Sequence, residues 1–134
     1  MKKKDNDPIL YTQKELAKKL DLTERWFRRN RQSRDAITAV RLGHRKVRYP
    51  EPNVYKWLGR SDLELEFYSI KKLAKILGCS EDWIHTNQLG ENPIPSWRFG
   101  RLKRFNKTQL YEWLKSNSIG NNKHLMEEEH ESET

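Results

Sequence analysis

Sliding the sequence along itself by 57 positions brings YTQKELAKKLDLTERWFRRN, starting at Tyr11, over YSIKKLAKILGCSEDWIHTN, starting at Tyr68. Tyr11, Lys14, Leu16, Ala17, Lys18, Leu20, Glu24, Trp26 and Asn30 then meet identical residues, and Gly43 meets Gly100. Past that glycine the second copy lacks one residue, so Tyr55, Trp57 and Leu58 fall on Tyr111, Trp113 and Leu114 at an offset of 56. Two copies are too few for a stacked solenoid, which needs about three repeats to bury a continuous core. The pattern is that of a duplicated small domain. It divides the chain into a basic flexible start at 1–10, a unit at 11–58, a short acidic linker at 59–66, a second unit at 67–116 and an acidic disordered tail at 117–134.

The local signals agree between the copies. Thr12 with Glu15 three residues later makes a capping box, and Leu16, Ala17 and Leu20 recur at helical spacing, so a first short helix is expected over 13–20. In the second copy Ser69 is the cap, followed by Leu73, Ala74 and Leu77. After a tight turn, Thr23 and Ser80 are good N-caps for a second helix, with Trp26 and Phe27, or Trp83 and Ile84, on its apolar face. A strand ending at Leu42 or Phe99, a glycine turn and a return strand ending at Tyr49 or Phe105 make a hairpin. The segments Pro50 to Leu58 and Asn106 to Leu114 close each unit as a helix, laying Val54, Trp57 and Leu58, or Leu110, Trp113 and Leu114, on the core. Trp26, Trp57, Trp83 and Trp113 are therefore read as structural, and Cys79, which stands where the first copy has Leu22, as a small buried hydrophobe. The fold class expected is α+β, mainly α with small β-hairpins.

Charge and cysteine content narrow the function. The chain carries a net charge of +8 with a pI near 9.6, which favours a polyanionic partner. One cysteine excludes an intrachain disulfide, and His44, His85, His124 and His130 show no paired ligand spacing, so no metal and no cofactor are expected. There is no catalytic Ser-His-Asp or Cys-His arrangement, glycine-rich phosphate loop or carboxylate pair, which argues against an enzyme and against a small-molecule ligand. No run approaches the roughly 18 apolar residues of a membrane span, and MKKKDNDP does not lead into an apolar secretory segment. A cytoplasmic location without membrane contact is the expectation.

Two short helices, a basic hairpin and a closing helix resemble the winged helix-turn-helix of the excisionase and MerR families. The carrying residues are Glu15-Leu16-Ala17-Lys18-Lys19-Leu20, which match the families' ELA..L pattern, the Thr23 and Ser80 caps, and Pro95, Arg98 and Gly100 of a P..R.G wing. Trp113 and Leu114 match the Trp-Leu pair that ends the last helix; the first copy has Thr38 in place of the wing proline. The resemblance covers about 100 of the 134 residues. Two such units in one small basic chain are also similar to the TraN-type transfer proteins of Gram-positive conjugative plasmids. That similarity rests on architecture and implies a pseudo-symmetric internal dimer, monomeric as a chain, whose hairpins meet in a central antiparallel sheet. It also implies binding to double-stranded DNA near an origin of transfer, as a local regulator or accessory factor.

The residues suit DNA independently of any family. A helix entering the major groove reads guanine through arginine while neighbouring cations hold phosphates. With Trp26 turned inward, Arg25, Arg28 and Arg29 face out beyond the Thr23 cap, with Arg31 following. The second such helix has Ser80, Glu81, His85, Asn87 and Gln88; Asn87 and Gln88 suit adenine, and Glu81 suits either cytosine N4 or the helix dipole. The wings supply Arg41, His44, Arg45, Lys46 and Arg48 in the first copy, and Arg98, Arg101, Lys103 and Arg104 in the second, for phosphate contact or a narrow minor groove. Val40, Leu42, Val47 and Tyr49 alternate with the cations, so that one face of the first hairpin packs while the other stays wet. The missing residue leaves open whether Leu102 or Lys103 faces inward. An excisionase-like DNA-bending role, and an adaptor for RNA or an acidic protein, remain as alternatives. Lys2, Lys3 and Lys4 are read as a disordered start rather than a minor-groove arm.

Overall fold

A computed structural model of the chain describes residues 7–31, 33–34 and 36–120. The lysines at 2–4 and the acidic residues from 121 onward, and with them most of the readings made for both ends, lie outside the described residues. The chain is α+β, with six helices and two three-stranded antiparallel sheets among the described residues. One element order occurs twice. The first passage is β1 (Leu10–Tyr11), α1 (Gln13–Leu20), α2 (Glu24–Asn30), β2 (Val40–Arg41), β3 (Val47–Pro50) and α3 (Glu51–Leu58). The second is β4 (Phe67–Tyr68), α4 (Ile70–Leu77), α5 (Glu81–Leu89), β5 (Trp97–Phe99), β6 (Leu102–Asn106) and α6 (Lys107–Ser116).

The caps fall where the sequence places them. Thr12 Oγ1 accepts from Glu15 N while Glu15 Oε1 accepts from Thr12 N, completing the box. Asn106, fully buried, accepts from Thr108 N and Gln109 N to start α6 and donates to the carbonyl of Glu64 at 2.8 Å. The two-residue strands β1 and β4 are not visible in the hydrophobic pattern. Each adds to a hairpin, in the orders β1-β3-β2 and β4-β6-β5. Among the described strands the two hairpins do not pair, so the central sheet implied by the family resemblance is not formed.

What joins the two passages is side-chain packing through the second sheet. Directly opposed residues in a sheet share a face, and alternate residues point to opposite faces. Tyr68 and Phe105 oppose each other and enter the second core with Leu73, Ala74, Ile84, Ile94 and Leu110. Phe67, opposite Asn106, and Phe99, opposite Leu102, lie on the other face and enter the first core with Leu16, Leu20, Phe27, Tyr49, Val54 and Leu58. Aromatic rings run through the junction: Trp26 to Trp57 at 6.4 Å, Trp57 to Phe99 at 5.0 Å, Phe99 to Phe67 at 5.3 Å and Phe67 to Trp97 at 5.8 Å. The segment at 59–66 belongs to this packing as well. Leu63 and Leu65 are buried, and Lys107 pairs with Glu64 and Glu66.

Several expectations about burial are corrected by this arrangement. Trp83 and Leu114 are exposed, although Trp26 is half-buried and Leu58 buried at the matching positions of the first copy. Val40 and Leu42 are exposed because no described element covers the face of the first sheet that carries them, while Val47 is half-buried and Tyr49 buried. Cys79 is half-buried against the second core. The second hairpin's register is settled: Arg98 opposes Lys103, Phe99 opposes Leu102, and Leu102 remains partly exposed.

Because Phe99 belongs to the second passage but to the first core, Phe99→Ala should destabilise both halves together. The expected loss is about 3–5 kcal/mol, as for a buried aromatic truncated in a close-packed core. Chemical denaturation followed by tryptophan fluorescence and by far-UV circular dichroism should give coincident single transitions in the parent and an equal shift of both probes in the variant.

Candidate nucleic-acid interface

Helix α2 presents two unlike faces. Phe27 is buried, whereas Arg25, Arg28 and Arg29, at the i, i+3 and i+4 spacing that places side chains on one face, are exposed. None of these three makes a hydrogen bond or ion pair with a described residue, and all ion pairs among the described residues lie elsewhere, at Arg60–Asp62, Lys107–Glu64 and Lys107–Glu66. Thr23 serves as the cap, its Oγ1 accepting from Trp26 N at 3.1 Å. Arg31 is committed differently: its Nη2 donates to Gln13 Oε1 at 2.8 Å, which ties the end of α2 to the start of α1.

The first hairpin turns tightly, with Gly43 at φ 101° and Leu42 N donating to Lys46 O at 2.7 Å. At this positive φ a side chain would be strained, so glycine fits the turn. Arg41, His44, Arg45 and Lys46 are exposed around it. Arg48, on the return strand, is half-buried, and its Nη1 donates to the carbonyl of Val47. A cleft between this hairpin, the start of α1 and α2 is lined by Lys14, Arg31, Arg41, His44, Arg45 and Arg48, with Glu24 the one acid among its lining residues. The cleft has the geometry to seat an anion chain such as a phosphate backbone, since several fixed cations converge on one concavity.

The second copy keeps fewer of its candidate residues free. Ser80 Oγ caps α5 by accepting from Trp83 N at 3.1 Å, and Glu81 and His85 are exposed. Asn87 and Gln88 face inward instead of outward. Asn87 Oδ1 accepts from Ile94 N, Gln88 Nε2 donates to Ile94 O at 2.9 Å, and Gln88 Oε1 accepts from Lys103 Nζ at 3.2 Å. These amides fasten the loop before β5 and the hairpin to α5, so both are committed within the second unit. Arg98 and Arg101 are exposed, but Lys103 is tethered to Gln88 and Arg104 is half-buried. Arg104 Nε donates to Asp21 O at 2.8 Å, its Nη1 donates to Lys103 O, and burial lowers its pKa below the ordinary guanidinium value. It acts as a bolt between the passages.

Two cationic residues of this surface were not singled out in the sequence. Lys14 sits in the cleft of the first copy because α1 begins beside the hairpin. Arg34 lies, with Arg98, along a groove between Trp26, Asn30, Trp57, Trp97 and Gly100, formed where the second hairpin meets α2. Nothing in the local sequence marks either position, since both depend on how distant elements pack. Among the described residues no group of His, Cys, Asp and Glu is arranged to hold a metal ion, and no helix is long and apolar enough to cross a membrane.

The division between free and committed cations should appear in stability. Arg104→Ala removes the charged hydrogen bond across the junction to Asp21 O and should cost about 1.5–3 kcal/mol, read as a shifted denaturation midpoint. Arg28→Ala should leave the midpoint where it is, as expected for an exposed side chain without a partner among the described residues. Comparison with family models, with curated proteins and with solved structures finds no match, so the surface has to be interpreted from its own side chains.

Proposed function

We propose that the protein is a duplex DNA-binding factor, built as two fused winged helix-turn-helix units in a pseudo-symmetric internal dimer. The observation that carries the reading is the grouping of Arg25, Arg28 and Arg29 on one exposed face of α2, next to a hairpin whose Arg45 and Lys46 also have no ion-pair partner among the described residues. Helix α2 enters the major groove, where one or more of its arginines address guanine O6 and N7, and the first wing with Lys14 follows the adjacent phosphates. The second unit contributes backbone contacts through Arg98 and Arg101 more than base reading, because Asn87 and Gln88 are turned inward. Sequence preference therefore concentrates in one half of the site, with the other half about one helical turn away.

The biological setting favoured by the resemblance is a mobile element, with the protein acting as a local transcriptional regulator or as an accessory factor near a conjugative origin of transfer. It is not an enzyme in this reading, and it requires neither a cofactor nor a membrane.

Binding to duplex DNA, single-stranded DNA and structured RNA at two or more salt concentrations tests the proposal. A duplex preference is expected, with log K falling linearly in log salt by about 0.9 for each phosphate neutralised. The double variant Arg45→Ala, Lys46→Ala should flatten that slope by about 2 and weaken all sequences alike. Arg28→Ala should cost about 1–3 kcal/mol on the preferred sequence, found by footprinting, and less on random DNA. Equal affinity for all three nucleic acids would refute the reading.

A further inference from the structure

The contact that joins the two passages uses the outer face of the second sheet and the helix end of the first unit, so each contributes a different half of one interface. Among the described residues the matching halves remain unused: the outer face of the first sheet, and the helix end of the second unit. Their exposure follows position by position. Phe99 is 3% exposed but its counterpart Leu42 is 49% exposed, and Leu58 is 8% exposed but its counterpart Leu114 is 38% exposed. Leu10 and Val40 are likewise exposed where Phe67 is buried and Trp97 half-buried, and Trp83 is exposed where Trp26 is half-buried.

We propose that a second copy of this chain docks its first sheet, through Leu10, Val40 and Leu42, onto the helix end of the first chain's second unit at Trp83 and Leu114. The docking repeats between chains the contact already made within one. The polar part of the contact is preset as well. Arg48 holds Nη1 on the carbonyl of the preceding residue at 2.9 Å, as Arg104 does at 2.8 Å. Gly78 ends α4 in the left-handed conformation, φ 67°, that Asp21 takes at φ 53° at the end of α1. Arg48 is thus poised for the Gly78 carbonyl as Arg104 is for that of Asp21.

Charge selects the same partner. The exposed hairpin of the first unit carries Arg41, Arg45 and Lys46, whereas the receiving end of the second unit carries exposed Glu81, Asp82 and Glu112. Two of these acids are where the second copy departs from its twin, which has Arg25 at the position of Asp82 and Lys56 at that of Glu112, whereas Glu81 is matched by Glu24. The contact is heterologous, so each added chain offers a new free face and association continues past the dimer. It is weaker than the internal contact. Leucine and valine replace the large aromatics, Gly78 lacks the carboxylate of Asp21, and no tether raises the effective concentration.

Sedimentation velocity of the full chain without DNA, at low salt and up to about 1 mM protein, tests this independently of any nucleic-acid reading. The average sedimentation coefficient should climb with concentration without a plateau at the dimer, and added salt should reduce it. Leu42→Asp and Leu114→Asp, both at exposed positions, should each stay monomeric while keeping the parent circular dichroism. An equimolar mixture of the two should form a dimer and nothing larger, because one intact half of the interface survives on each chain. If either aspartate variant loses its fold, the serine variant at that position takes its place in the same comparison. A parent that remains monomeric throughout, a plateau at the dimer, single variants that associate like the parent, or a mixture that stays monomeric would each overturn the proposal.

Discussion

The structure depends on one sheet having two apolar faces. A hairpin on the surface of a small domain normally packs on one side and meets water on the other. In β4-β6-β5 the alternation is apolar on both sides: Tyr68 and Phe105 point one way, and Phe67 and Phe99 point the other. The sheet must therefore be covered twice, and its second cover is the first unit. A domain of about 50 residues has little capacity to bury a core alone, so sharing Phe67, Phe99 and Leu65 enlarges the first core with residues from outside its own segment. The helix pair of one unit is consequently held in a fixed relation to that of the other.

The same constraint sorts the cations. A guanidinium on the outer face of the second sheet must either leave water or find a carbonyl, and Arg104 finds Asp21. Removing that partner would leave a buried charge without compensation. Arginines on α2 and at the hairpin tips face no such demand, since neither location is covered by another described element. Residues that look equivalent in a list of basic positions thus divide into bolts and free charges. The division follows what each side chain reaches: Arg104, on the face of Trp97 and Phe99, finds Asp21; Lys103, on the other face, is held by Gln88; and Arg98 beside Lys103 stays exposed.

What could be read from the sequence was whatever depends on neighbours within a few residues. Thr12, Thr23, Ser69, Ser80 and Asn106 all cap helices, and the glycine turns and helix limits fall close to where their local chemistry puts them. The misplacements share one origin. Helical or strand periodicity places Trp83, Leu114, Val40 and Leu42 in the interior, because it reports that a face is apolar without reporting what covers it. In the other copy those faces are covered, so the repeat itself suggested a symmetry of environment that a head-to-tail junction cannot have. The internal partners of Asn87 and Gln88 are not legible for a related reason: the loop at Ile94 precedes a strand whose path the sequence does not specify.

Asp21 shows how the junction and the divergence of the two copies are connected. The end of α1 needs a left-handed residue, a conformation in which glycine is at ease and aspartate is strained; the second copy has Gly78 there. The aspartate is explained by its contacts across the junction. Its carboxylate accepts from Ser69 N at 2.9 Å and its carbonyl accepts from Arg104. Ser69 N is the group that a glutamate three residues on would satisfy in a capping box, as Glu15 does for Thr12. In the second copy that place is held by Lys72, which cannot accept a hydrogen bond, and the first unit supplies the missing carboxylate. Each copy is thus incomplete where the other completes it, and neither strained Asp21 nor the open box at Ser69 would be expected of a unit that had to stand alone.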